Sequence, residues 1–250
     1  MTGSAGRHPA SRPEIRIGAA PVDGGVAITV NGKPALTPGK HPLVVPGAAL
    51  AAAIADELAE TPRRLTGKGL SDPAAAPNFR IALGAIDLIA HNQDARAQTV
   101  DDLAAYGETD LVCFRGASPE SLVQAQEASF DPLLSWFAST YGASLNVTTG
   151  LRAVPQDRAA LAAIRHAISA CDDFTLSALA FTTRAAGSIV IGLALINGAI
   201  DAETAYRASV VDEVHQAERW GEDADAARSR AGKALDLAQA ARFVELLAMD

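Results

Sequence analysis

The segment Gly187–Ile196 reads Gly-Ser-Ile-Val-Ile-Gly-Leu-Ala-Leu-Ile and, wound as a helix, turns apolar side chains in every direction. Such a helix has no face suited to water, so it has to be the centre of a fold with other elements around it. It is too short to cross a bilayer, which takes about 18 to 20 apolar residues, and its extension to Ile200 brings in Asn197. No membrane insertion is expected. Asn197-Gly198 closes the helix, and the shell it needs is legible on both sides. Upstream, Gln156–Ala170 sets Leu161, Ile164 and Ile168 at helical spacing, and Asp172 or Asp173 caps a helix over Phe174–Ala186. Downstream, Asp201 caps a helix running through an acidic segment, with Ala202, Tyr206, Val210 and Val214 on its inner side. A last helix covers about Asp223–Leu247.

The first part of the chain reads differently. Met1–Arg16 carries Arg7, Arg12 and Arg16 against the single acid Glu14, but Pro9 and Pro13 break any amphipathic helix, leaving a flexible tail. Val26–Val30 is rich in β-branched residues and runs into Asn31-Gly32, the pair best suited to a two-residue hairpin turn. Lys33–Thr37 returns as a second strand, Pro38-Gly39 turns again, and Pro42–Val45 is a third extended piece. A helix follows over about Ala48–Glu60, with Leu50, Ile54 and Leu58 on one stripe and Thr61-Pro62 at its end. Gly67–Pro77 is a loop, and Phe79–Ala97 reads as a helix with Ile81, Ala85, Leu88 and Ile89 on one face. Leu111–Phe114 and Leu145–Thr148 are short β-like runs expected to pair. Between them, Pro119 and Glu120 open a helix through Gln124, and Asp131-Pro132 caps another carrying Leu133, Leu134, Trp136 and Phe137.

The expected class is α+β. A flexible tail at 1–16 precedes a small β-rich N-terminal domain with one helix over 17–66. A larger, mainly α-helical C-terminal domain over 77–250 carries a short two-stranded β element. With 250 residues, 49% of them hydrophobic, the chain has ample material for a core, and only 5% aromatics suits helices built on alanine and leucine.

Charge and motifs remove several functions. A formal net charge of −8 argues against nucleic acid or an anionic membrane as partner and leaves a basic protein surface as the complement. Cys113 and Cys171 stand far apart, in neither a Cys-x-x-Cys pair nor a zinc spacing, and read as buried thiols of a reducing compartment. Gly67-Lys68 continues into Gly69 and has Pro62 five residues upstream, so no phosphate-binding loop forms. Gly187 and Gly192 are too far apart for a dinucleotide fingerprint, and Ser188 is not in a nucleophile elbow. Asp212 and His215, three apart, and Glu218 and Glu222, four apart, resemble part of a carboxylate-bridged metal site, but no second Glu-x-x-His copy exists. No metal and no cofactor are expected. An enzyme built on His91, His166 or His215 with nearby acids is the rival from another class, and a stable structural subunit is a third reading.

The stretch Glu213–Asp225, Glu-Val-His-Gln-Ala-Glu-Arg-Trp-Gly-Glu-Asp-Ala-Asp, is the functional candidate. It holds Trp220 amid dense charge. On one reading Trp220 packs inward and the acids serve the start of the last helix; on the other it belongs to a docking surface, where tryptophan is favoured.

Several segments in order resemble a known family, the Atp-twelve assembly chaperones of the ATP synthase catalytic head. Thr37-Pro38-Gly39 with Pro42–Pro46 is similar to its "TP…PL.LP" segment, Leu50–Glu57 to "LA..IA.E", and Ala85-Ile86-Asp87 to "AID". Asp110–Arg115 resembles "DLLCYR", Gln126 with Phe130–Leu134 resembles "Q…wDPLL", and Thr149-Gly150, Gly187-Ser188 and the "E..Q...WGED" block at Glu213–Asp223 complete the set. Leu58 stands where the family has tryptophan, and the segment before Ala85 departs from the family's "MPLT.L.NT". The resemblance covers about 26–247. It implies a two-domain α+β chaperone without enzymatic activity or cofactor, which binds the unassembled α subunit of the F-type ATP synthase and shields its interface. It further implies Glu213, Gln216, Trp220, Glu222 and Asp223 as partner-binding residues, and a monomer in a bacterial cytoplasm, or in the mitochondrial matrix of a eukaryote.

Overall fold

The computed structural model describes residues 15–60 and 76–249. The expected turn at Thr61-Pro62 and nearly all of the tail and of the Gly67–Pro77 loop lie outside the described residues.

Asn31 and Gly32 hold φ of 52° and 76°, the doubly positive conformation that a tight hairpin turn demands. They join β2 (Gly25–Val30) to β3 (Lys33–Pro34), antiparallel with Val30 opposite Lys33. β4 (Val44–Val45) also pairs antiparallel with β2, and Leu36 bridges Pro42. A strand that the sequence reading lacks, β1 (Ile17–Val22), completes the sheet against β2, with Ile17 opposite Val30. Its Gly-Ala-Ala-Pro interior has little β propensity; the ladder to β2 and the packing of α1 hold it. Gly25 has no room for a side chain, since a Cβ would lie 2.3 Å from the carbonyl oxygen of Val45.

Helix α1 (Ala48–Glu60) lays Leu50, Ile54 and Leu58 on this sheet, all fully buried. Their core also contains Ile28, Leu43, Phe79 and Ile81, with Phe243 and Leu246 from the far end of the chain. A second core is centred, as the sequence predicts, on the apolar helix α7 (Ile189–Ile196), of which every residue from Ile189 to Leu195 is buried. Around it lie α3 (Gln93–Ala105), α4 (Glu120–Tyr141), α5 (Arg158–Ser169), α6 (Asp173–Ala186) and α8 (Ala202–Ser209), with α9 (Val211–Trp220) outside and α10 (Ala224–Leu247) reaching back to the sheet. α2 (Pro77–Leu83) links the two cores.

Four local expectations are corrected. The helix expected over Phe79–Ala97 is interrupted: after α2 the chain widens into a π-helical turn over Gly84–Ala90 and stops at His91, and Asn92 caps α3 by accepting from the N–H of Ala95. The wider turn rotates Leu88 outward, so it is 65% exposed although Ile81, Ala85 and Ile89 are buried. The two helices expected around Asp131-Pro132 are one, α4, with Pro132 inside it. A proline there costs about 3 kcal/mol; burial of Gln126, Phe130, Leu133 and Phe137 on one continuous face outweighs it, and Pro132 itself is on the exposed side. The helix expected beyond Asp201 is two, because Val210, at φ −128° and ψ 13°, leaves the helical region between α8 and α9. Val210 is buried as expected, together with Ala205, Ala208 and Ser209 of α8, but Ala202 and Tyr206 are only half-buried and Val214 is 37% exposed. Finally, Leu111–Cys113 is a 3₁₀ turn, and the two-stranded element is β5 (Phe114–Arg115) parallel to β6 (Thr148–Thr149).

Cys113 lies beside that element, almost fully buried, and burial with the nearby Asp110 charge pushes its thiol up to about 12. Cys171, half-buried, is pushed up to about 11 by burial. Thiolate is the reactive form, so at pH 8 a thiol reagent is expected to leave both cysteines of the native chain essentially unmodified over minutes and to modify both at once in denaturant. Rapid native labelling of Cys113 contradicts its placement.

Candidate functional site

Most motif residues named from the sequence prove to hold the fold together. Asp87 accepts hydrogen bonds from Thr37 Oγ1 at 2.5 Å and from the N–H of Gly39 at 3.0 Å, pinning the turn after β3 to the π-helical turn. Gly39 is close enough that a Cβ would fall 2.7 Å from Asp87 Oδ1. Glu57 accepts from the N–H and Nδ2 of Asn78 and from the N–H of Phe79, fixing the start of α2 to α1.

Asp110 is the buried centre of the helical half. Its carboxylate accepts from Ser188 Oγ at 2.6 Å and from the N–H groups of Val112, Ile189 and Val190. Two of those donors open α7, where a helix dipole favours negative charge. Burial nevertheless pushes its pKa up from 3.8 to about 6, the four hydrogen bonds pulling the other way. Arg115, also buried, donates to the carbonyls of Val112 and Phe114, pairs with Asp131 at 2.6 Å and lies over the Phe130 ring. Gln126 accepts from Gly116 N–H and donates to Asp212, tying α4 to α9.

The block at Glu213–Asp223 is different. α9 is the only helix among the described residues with no buried residue. Trp220 at its end is 74% exposed, with the Arg219 guanidinium 5.9 Å from its ring centroid. It does not pack inward. Gly221, at φ 94°, breaks the helix, and Asp223 caps α10 by accepting from the N–H groups of Asp225 and Ala226. Glu222 pairs with the buried Arg230, and Glu213 with Lys233 at 3.2 Å. Both ion pairs and the cap brace the elbow between α9 and α10. Gln216, exposed, and Trp220 are the motif residues with no polar partner among the described residues. Helical spacing puts Glu213, Gln216 and Trp220 on one side of α9. The sequence motif thus divides into an elbow, made by Glu213, Gly221, Glu222 and Asp223, and an open face carried by Gln216 and Trp220, with Glu213 shared by both.

The histidines of the rival enzyme reading are scattered. His91 stacks on His41 with ring centroids 3.7 Å apart and meets the carbonyl of Ile86 through Nδ1. His215 Nε2 meets Ser121 Oγ at 3.0 Å, and His166 is exposed on α5. Among the described residues no three His, Cys, Asp or Glu side chains gather as a metal site, and no helix is long and apolar enough to cross a membrane.

Known proteins match this arrangement. A family model described as ATP12 chaperone protein matches residues 14–138. Atp12 from Paracoccus denitrificans is 38% identical, with a TM-score of 0.83 over 92% of this chain and 95% of that one. An aspartate-to-lysine variant of Atp12p from the same organism superposes with a TM-score of 0.84 at 37% identity, covering 94% of this chain and 97% of that one. A protein of Agrobacterium tumefaciens is 34% identical, with a TM-score of 0.81 over 92% of this chain and 84% of its own. With half of its length matched by the family model and nearly all of it by these relatives, the chain belongs to the ATP12 chaperone family.

Proposed function

We propose that this protein is an assembly chaperone of the F-type ATP synthase, which captures the unassembled α subunit and covers, without ATP, the surface later taken by a β subunit. Family membership supports the chaperone role. The observation that carries the docking site is the state of α9: every other described helix buries residues, whereas α9 buries none and ends in a tryptophan that is 74% exposed. A tryptophan this exposed adds little to the stability of this chain, and tryptophan is over-represented among residues that dominate interfaces. Trp220 is the anchor, Gln216 supplies hydrogen bonds and Glu213 negative charge, while Glu222 and Asp223 set the angle at which the face is presented. Binding of this kind needs no nucleotide, because preferential binding to an exposed surface shifts the population by mass action. The chaperone performs no catalysis and acts as a monomer in the bacterial cytoplasm. It leaves when the catalytic head assembles and is absent from the finished synthase.

The test is capture of isolated α subunit on the immobilised chain, without nucleotide, for wild type and Glu213→Lys. Glu213 is partly exposed and its partner Lys233 lies 3.2 Å away, so the reversal is expected to change stability by no more than about 1 kcal/mol. Capture by the variant is expected to fall about tenfold, as for an acid meeting a basic group across an interface. Absence of capture by the wild type contradicts the proposal, and equal capture by both removes Glu213 from the contact.

A further inference from the structure

α4 and α9 run antiparallel, as the Ser121–His215 and Gln126–Asp212 hydrogen bonds show. They do not close fully against each other. Ser121, Ala125 and Ser129, one turn apart on α4, face Val214 and Glu218 of α9 and Tyr206 and Val210 at the α8–α9 junction across an open groove of about 380 Å³. Its floor is aliphatic and aromatic. Val210 is 2% exposed at the bottom, Val214 37% on the wall. Along α9 the groove runs from Val210 to Glu218, about 12 Å at 1.5 Å per residue.

The charges at its rim are unequal. Arg207 is already held by Glu203 at 2.8 Å. Glu218, exposed on the opposite side, has no partner among the described residues. The face of α9 that lines this groove, Val211, Val214 and Glu218, is not the face that carries Gln216 and Trp220.

We propose that this groove is a second contact with the client, and that it receives a segment presenting a leucine- or isoleucine-sized side chain with a lysine or arginine about one turn away. The apolar side chain fills the space between Ala125 and Val214, and the cation pairs with Glu218. A helix of the client laid over the groove that α4 and α9 line meets both requirements, in the way amphipathic helices dock on apolar grooves. The net charge of −8 agrees with a cationic occupant. This inference rests on the chaperone reading above and specifies the chemistry of what it binds.

Two variants of the full chain test it against isolated α subunit. Ala125→Phe fills the groove from the α4 side without altering the Trp220 face, and Glu218→Lys reverses the unpaired charge at an exposed position that cannot unfold the chain. Each is expected to weaken capture of α subunit about tenfold, with melting temperature unchanged for Glu218→Lys. If wild type captures α subunit and Glu218→Lys and a natively melting Ala125→Phe do so equally well, the groove is not a contact and the chaperone reading stands. Should Ala125→Phe melt early, Glu218→Lys alone decides. Failure of the wild type to capture α subunit overturns both readings together. Self-association of the wild type that Ala125→Phe abolishes assigns the groove to a second copy of this chain and overturns the proposal.

Discussion

Asp110→Ala is expected to destabilise the chain by about 3 to 5 kcal/mol, through the buried donors it leaves unpaired. The carboxylate is fully buried and serves four donors. Its loss strands the hydroxyl of Ser188 and the N–H groups of Val112, Ile189 and Val190, each orphan costing about 1 to 3 kcal/mol before relaxation. It also takes away the negative charge at the start of α7, the helix around which the larger core is built. In a chain of this size the melting temperature should drop by roughly 10 °C. The same carboxylate gives a pH signature. Burial raises its pKa from 3.8 to about 6, so between those values the folded state binds a proton that the unfolded state has released. Stability from this group therefore falls as pH rises through that window and is gained on acidification, by at most about 3 kcal/mol. Asp110→Asn cannot titrate there. Melting curves of wild type and Asp110→Asn should draw apart from pH 7 to pH 4, the wild type gaining. A gap that stays constant or narrows contradicts the raised pKa.

The second large effect separates binding from stability. Trp220→Ala should leave the melting temperature within the scatter of surface substitutions, about 0.5 kcal/mol, because the indole is 74% exposed and touches little of its own chain. Its effect on α-subunit capture should be at least about 2 kcal/mol, a thirtyfold loss, as for a central aromatic anchor. A variant that melts early places Trp220 in the fold, and one that captures normally takes it out of the interface.

Much of this arrangement is readable in the sequence where one local rule governs a segment. Asn31-Gly32 gives the hairpin because only residues at ease with positive φ fit that turn. Ile189–Ile196 gives the central helix because an all-apolar helix has nowhere else to be. The misreadings fall where tertiary contacts override local preference. Pro132 reads as a helix start, yet the buried face from Gln126 to Phe137 carries α4 through it. Leu88 reads as core, and a π-helical turn, which no residue pattern announces, rotates it to the surface. β1 exists because β2 and α1 offer it a place.

The site was half legible. Glu213, Gln216, Trp220, Glu222 and Asp223 stand out in the sequence as one charged aromatic block. The ion pairs to Lys233 and Arg230, in the first half of α10, and the Asp223 cap distinguish the brace from the open face. The groove beside it has no sequence signature, since Ser121, Ala125 and Ser129 are ordinary helix residues until α9 is placed opposite them.

Light scattering during refolding of isolated α subunit tests the central claim most directly. With equimolar protein and no nucleotide, scattering should be suppressed, and equimolar Trp220→Ala should suppress it far less. Unchanged scattering with the wild type, or suppression that appears only when ATP is hydrolysed, contradicts the account.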